Sequence, residues 1–198
     1  MFRMISLFIA CALLLAPPLP AIAALKPGDA APDFTAQAFL AGKPFTFRLS
    51  EALRQGPVVV YFFPAAYTPG CNVEAALFSQ AIDRFKARNA TVVGVTAGNA
   101  ERLAEFSSDK ASCAGKFAVA ADPNAQIAKR YDAQLAFKPG WSNRTSYVIA
   151  PSGKVVRAYT DAKPNAHVRH MLDGLDALQG AQAASPKPAK AAAPQPQR

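Results

Sequence analysis

Val58-Val59-Val60-Tyr61-Phe62-Phe63-Pro64-Ala65-Ala66-Tyr67-Thr68-Pro69-Gly70-Cys71-Asn72-Val73-Glu74 carries the chain from one kind of secondary structure into another. The first six residues are an unbroken β-branched and aromatic run, the pattern of a strand covered on both faces, and Pro64, which has no N–H to give a ladder, ends it. Beyond the loop Pro64 to Gly70, apolar residues recur at Phe78, Ile82 and Phe85, the spacing of a helix that buries one face, so a helix should begin near Cys71. At a helix start the unpaired N–H groups and the positive end of the dipole favour an anion, and a thiol there ionises more readily than a free one. Cys71 is therefore a candidate nucleophile. A cysteine that merely packs is the plain alternative, and position alone does not choose between them.

Reading outward, Thr91 to Val95 is a second buried strand, followed by Asn99 as a candidate cap and a short helix with Leu103 and Phe106 on one side. Phe117 to Ala121 is a weaker strand, Asp122-Pro123-Asn124 turns the chain, and Ile127 and Tyr131 sit one turn apart on the next helix. This alternation predicts parallel pairing. Thr145 to Ala150 and Val155 to Tyr159 flank Pro151-Ser152-Gly153-Lys154, a turn short enough to join only antiparallel neighbours, so the sheet is mixed. A last helix presents Val168, Met171, Leu172, Leu175 and Leu178 as one stripe, with Asn165 as its expected cap. The predicted fold class is α/β: a thioredoxin-like fold, a central mixed β-sheet flanked by helices.

The ends read differently. Met1 to Ala23 has a basic Arg3, an apolar run from Met4 to Ala16 and the small-residue sequence Ala21-Ile22-Ala23, the pattern of a cleaved signal peptide. The run is shorter than the roughly 20 residues that span a bilayer, so no stable membrane insertion is expected after cleavage. Residues 180–198 are mostly Ala, Pro, Lys and Gln without a large apolar side chain and read as a disordered tail, which leaves one domain over 24–179. Cleavage removes Cys11 and keeps Cys71 and Cys113, an even count in a periplasmic or secreted compartment where a disulfide can persist. The net charge of +9 includes Arg3, Lys187, Lys190 and Arg198 at the two ends. The remaining Lys and Arg are scattered rather than gathered into a stripe, which argues against a nucleic-acid partner.

Pro64, Thr68 and Cys71 form the pattern Pro-x-x-x-Thr-x-x-Cys, which resembles that of the peroxiredoxins, the alkyl hydroperoxide reductase and thiol-specific antioxidant family. Thr68-Pro69-Gly70-Cys71 with Glu74 is similar to the bacterioferritin-comigratory branch. Gly28-Asp29-Ala30-Ala31-Pro32-Asp33-Phe34 resembles the family's entry strand, and Asp122-Pro123, Arg144 and Ser152-Gly153-Lys154 resemble its later landmarks in the same order. The resemblance implies a thiol-dependent peroxidase, without cofactor or metal. In it Cys71 attacks the peroxide, Thr68 holds peroxide and sulfur by its hydroxyl, Pro64 shields the pocket, Arg144 supports the thiolate and transition state, and Glu74 orients part of this network. Full ionisation of an ordinary thiol raises its reactive fraction only about 30-fold, or about 2 kcal/mol, so donors fixed toward the departing oxygen have to supply the rest.

The chain departs from that pattern at Asn72, where the branch usually has Thr, and at Ala76, where many members carry a resolving cysteine. Other members place that cysteine in the following helix, roughly where Cys113 falls, which implies a Cys71 to Cys113 disulfide reduced by a thioredoxin-like or other thiol partner. A free Cys113 with an external thiol resolving the sulfenic acid stays open. His167 and His170 share a helix face but have no ligand cluster beside them in sequence, so exposed helix residues are expected there rather than a metal site. A thioredoxin-like thiol-disulfide oxidoreductase would need Cys-x-x-Cys, and Glu74 occupies the second place; a metal- or thiol-binding module would need a Cys pair with a nearby ligand.

Overall fold

The structure is a computed structural model that describes residues 24–184. The predicted leader and residues 185–198 of the tail lie outside the described residues. The central strand forms where the sequence places it: β3 (Val58–Phe62) is buried along its whole length. It pairs in parallel with β4 (Thr91–Thr96), which pairs in parallel with β5 (Ala118–Ala121). On its other side β3 pairs antiparallel with β6 (Thr145–Ile149), which pairs antiparallel with β7 (Val155–Thr160). The alternation along β3 sorts its side chains between two cores. Val58, Val60 and Phe62 pack on one face with Phe34, Phe47 and Tyr131, while Val59, Tyr61 and Phe63 pack on the other with Phe78, Phe106 and Met171.

One hairpin was not visible in the sequence pattern. β1 (Thr35–Leu40) and β2 (Lys43–Arg48) extend the sheet past β5, completing the order β2-β1-β5-β4-β3-β6-β7. The inward positions of β1 are Ala36 and Ala38, too small to give an apolar signal, yet both are buried. The hairpin turn passes through Ala41 and Gly42, both at positive φ. The entry segment Gly28 to Phe34 is not itself a ladder strand: it touches the sheet through the single bridge Ala30 to Lys154, and the ladder starts at Thr35. Pro32, which lacks an N–H, stands between that bridge and the ladder. A short α1 (Leu49–Leu53) follows the hairpin.

The helices cover both faces. α2 (Pro69–Lys86) and α5 (His167–Ala184) lie against the Tyr61 face together with α3 (Leu103–Ser108), and α4 (Gln126–Arg130) caps the other side near Tyr131. Asp122 caps α4, its two carboxyl oxygens accepting from the N–H groups of Ile127 and Ala128, each at 2.8 Å. Neither expected asparagine cap forms. Asn99 turns its amide to the carbonyl of Ala66 at 2.8 Å, and Asn165 is exposed in the 3-10 turn Pro164–Ala166 that precedes α5. α5 also runs on to Ala184, so the first residues read as tail are helical, which suits the Ala and Gln found there.

Gly94 of β4 faces the ring of Tyr61, which stacks on Phe78 with centroids 4.4 Å apart. A Cβ at Gly94 would fall 2.7 Å from the Tyr61 hydroxyl, and the ring cannot retreat because Phe63, Phe78 and Phe117 surround it. Gly94→Ala should therefore destabilise the fold by about 1–3 kcal/mol, as overpacking does. Chemical denaturation measures this, and an unchanged midpoint would show that the aromatic stack yields freely.

Candidate active site

Thr68 is the last extended residue before α2 and Pro69 occupies the first helical turn, where its missing N–H costs nothing. Cys71 follows in that first turn, with its N–H directed to the Thr68 carbonyl at 3.0 Å. Its side chain is buried, 1% exposed, in the core of the Tyr61 face. Thr68 is half-buried and its hydroxyl donates to the carbonyl of Ala65 at 3.2 Å rather than closing the helix as a side-chain cap. Pro64, also half-buried, ends β3 one residue beyond Phe63, and its carbonyl accepts from the Thr96 hydroxyl at 3.0 Å.

Arg144 comes to this point from the chain just before β6. It is 8% exposed, and each arm of its guanidinium is engaged. Nε donates to the Ala162 carbonyl at 3.0 Å, one terminal nitrogen to Glu74 Oε2, and the other lies 3.5 Å from Cys71 Sγ. Gly70 allows this approach, since a Cβ there would sit 3.1 Å from the same nitrogen that faces the sulfur. Glu74, one turn after Cys71 on α2, is wholly buried. Four of the residues singled out in the sequence, Thr68, Cys71, Glu74 and Arg144, thus meet at the junction of β3, α2 and β6.

The structure adds residues that the sequence reading did not. His167 was expected on the surface and is instead fully buried at the start of α5. Its Nδ1 lies 2.8 Å from the Ser146 hydroxyl and 3.5 Å from Glu74 Oε1, and its Nε2 is 3.0 Å from the Asp161 carbonyl. The signal was present: His167 precedes Met171 by four positions and so belongs to the buried stripe of α5. His170 is half-buried, stacked on Tyr159 with its Nδ1 2.9 Å from Arg157. Tyr67 also enters, in the left-handed region at φ 62°, with its ring against Phe106 and the Arg102 guanidinium 3.8 Å above it.

Cys113 lies beyond the end of α3, fully buried in the same core as Cys71, and both thiols are free. Burial, and after it the charge of Asp109, push the Cys113 thiol well above its ordinary range. Its turn is pinned by the Ser112 hydroxyl on the Phe106 carbonyl and by Lys116 on the Ser79 carbonyl of α2.

Residues 27–158 match the sequence profile of the AhpC/TSA family. The chain belongs to that family. As a peroxiredoxin it is a thiol-dependent peroxidase, and its relatives agree. It is 28% identical over 156 residues to a putative peroxiredoxin bcp of Helicobacter pylori, covering 76% of this chain and 98% of that one. It is 31% identical over 156 residues to a putative peroxiredoxin of Mycobacterium tuberculosis, covering 76% and 95%. Among solved structures it resembles the peroxidoxin BcpB of Mycobacterium tuberculosis at 28% identity and a TM-score of 0.68, over 78% of this chain and 98% of that one. The reduced 2-Cys peroxiredoxin of Plasmodium vivax shares the fold, with a TM-score of 0.70 at 22% identity over 79% and 98%.

Burial moves the two inner titrating groups of this peroxiredoxin in opposite senses. It raises the Glu74 carboxyl from 4.5 to about 8, against the pull of Arg144, and lowers the His167 imidazole from 6.5 to about 4. Between pH 4.5 and 6.5 the pair holds one proton in both the folded and the unfolded chain, so it gives stability no slope there. From pH 6.5 to 8 the folded carboxyl keeps a proton that the unfolded pair has lost, so stability falls as pH rises through this window. The slope is at most about 1.4 kcal/mol per pH unit. Urea midpoints across that window should fall for the native protein and stay flatter for Glu74→Gln; parallel curves would contradict the assignment.

Proposed function

We propose that this peroxiredoxin reduces hydrogen peroxide and organic hydroperoxides at Cys71, with Thr68, Arg144 and Pro64 forming the pocket and Glu74 holding Arg144 in place. The observation that carries this reading is the 3.5 Å approach of the buried Arg144 guanidinium to Cys71 Sγ at the first turn of α2. The Cys71 thiolate attacks the terminal peroxide oxygen. A sulfur–oxygen bond forms as the O–O bond breaks, and the electron pair leaves on the second oxygen as hydroxide or alkoxide, which takes up a proton. Charge moves from the sulfur to the departing oxygen, and a guanidinium already oriented at the sulfur stabilises both ends without reorganising. The Thr68 hydroxyl, at the lip of the helix, can leave the Ala65 carbonyl to hold the peroxide.

The sulfenic acid is then resolved by Cys113. Its thiolate attacks Cys71 Sγ, an S–S bond forms, the S–O bond breaks, and the departing hydroxide leaves as water with the proton that the Cys113 thiol gave up. A thioredoxin-like or other thiol partner reduces the disulfide, giving up its own electrons and protons. Because Cys113 is buried and hard to ionise, its turn has to open before it can attack. The leader pattern extends the proposal to an exported enzyme acting in the periplasm or outside the cell, with its reductant there.

Cys71→Ser should abolish peroxide consumption, since a hydroxyl is a poor nucleophile toward an O–O bond, and Thr68→Val or Arg144→Ala should slow it by at least ~10²-fold with the fold retained. Substantial turnover without Cys71 would overturn the assignment. After one equivalent of peroxide, mass spectrometry should find the Cys71 and Cys113 peptides linked. A lasting sulfenic acid on Cys71 beside a free Cys113 would instead assign resolution to an outside thiol.

A further inference from the structure

The hydrogen-bonding partners around His167 fix more than its place. Nε2 faces the Asp161 carbonyl at 3.0 Å, which can only accept, so Nε2 carries a hydrogen. Nδ1 is then the nitrogen left for the Ser146 hydroxyl at 2.8 Å and for Glu74 Oε1 at 3.5 Å. Oε1 is buried and has no donor among the described residues. An ionised carboxylate oxygen facing an imidazole lone pair out of reach of water is a costly arrangement, and a single proton between them removes the cost.

The charges around this pair make that proton consequential. With Arg144 positive, a Cys71 thiolate and a Glu74 carboxylate would compete for one guanidinium, because its two terminal nitrogens point one to each. Tyr61, from β3, is held un-ionised by burial and adds no charge. On the α5 side, the Asp161 carboxylate is turned away to the Tyr159 hydroxyl at 3.1 Å and the Lys163 N–H at 2.9 Å. Tyr159 meets His167 only through its ring, and His170 faces Arg157. No further carboxylate among these groups is directed at Arg144.

We propose that His167 is a positioning residue: with Ser146 it keeps one proton on the Glu74 and His167 pair, so that Glu74 orients Arg144 without cancelling its charge, which is left for the Cys71 sulfur. The proposal rests on Cys71 being the attacking thiol. The opposed shifts of the two groups, Glu74 upward and His167 downward under burial, agree with a proton that resides on the carboxyl while the imidazole stays neutral.

The test uses the full chain without peroxide. The rate at which iodoacetamide alkylates Cys71, read from the mass of its peptide across a pH series, reports the thiolate. In His167→Gln the amide can still donate to the Asp161 carbonyl, but it lacks a basic nitrogen facing Glu74 and so leaves the carboxyl freer to ionise. The alkylation profile should move to higher pH by about one unit, so that the rate at neutral pH falls about tenfold. Adding Glu74→Gln to that variant removes the competing charge and should return the profile toward that of the native protein, a rescue that a purely structural role would not give. An unmoved profile in folded His167→Gln, or a double variant as displaced as the single one, overturns the proposal. The native protein supplies a second arm should the variant fail to fold. At neutral pH its infrared spectrum should contain an un-ionised carboxyl band absent from Glu74→Gln, or labelled His167 should give imidazolium nitrogen shifts; finding neither overturns the proposal. Peroxide turnover is measured separately, so failure of the peroxidase reading would show there and leave these readouts standing.

Discussion

A guanidinium almost closed off from water ties the molecule together at one point. Arg144 joins the chain entering β6 to the first turns of α2 through Cys71 and Glu74, and to the turn after β7 through the Ala162 carbonyl. Burying such a group is unfavourable unless every arm is paired, and an incomplete set would be worse than none. Three elements distant in sequence must therefore arrive together for any of them to be comfortable. The register of β3 against β6 brings them there: Phe62 pairs with Thr145, which places the end of β3 and the residue before β6 at the same end of the sheet.

The fold and the inner site were legible to different depths. Strands that are both buried and β-branched, such as Val58 to Phe62 and Thr91 to Val95, announce themselves, and so does the cysteine where the first of them gives way to a helix. β1 did not, because alanines fill its inward positions, and the turn at Ala41 and Gly42 lacks the asparagine or aspartate that marks a tight hairpin. Arg144 was found through a motif, not through periodicity, since nothing local distinguishes a buried arginine from an exposed one.

His167 shows the limit most clearly. A histidine on a helix looks polar and exposed until its partners are known, and those partners, Glu74, Ser146 and the Asp161 carbonyl, come from three other stretches of chain. The stripe of α5 extends one turn back to it, but the two histidines drew an exposed reading because no ligand cluster lies beside them in sequence. Asn165 erred in the opposite sense: a good cap by composition, it lies in a 3-10 turn that leaves α5 to begin at His167.

The sheet divides the hydrophobic interior into two separate cores, and both cysteines lie in the same one. On the proposed cycle, in which Cys113 resolves Cys71, packing loosens with every turnover. That loosening would fall on one side of a seven-stranded partition, the side that holds both thiols. The opposite core, with Phe34, Phe47 and Tyr131, would serve that cycle as a keel, holding the strands in register while the working side opens and closes.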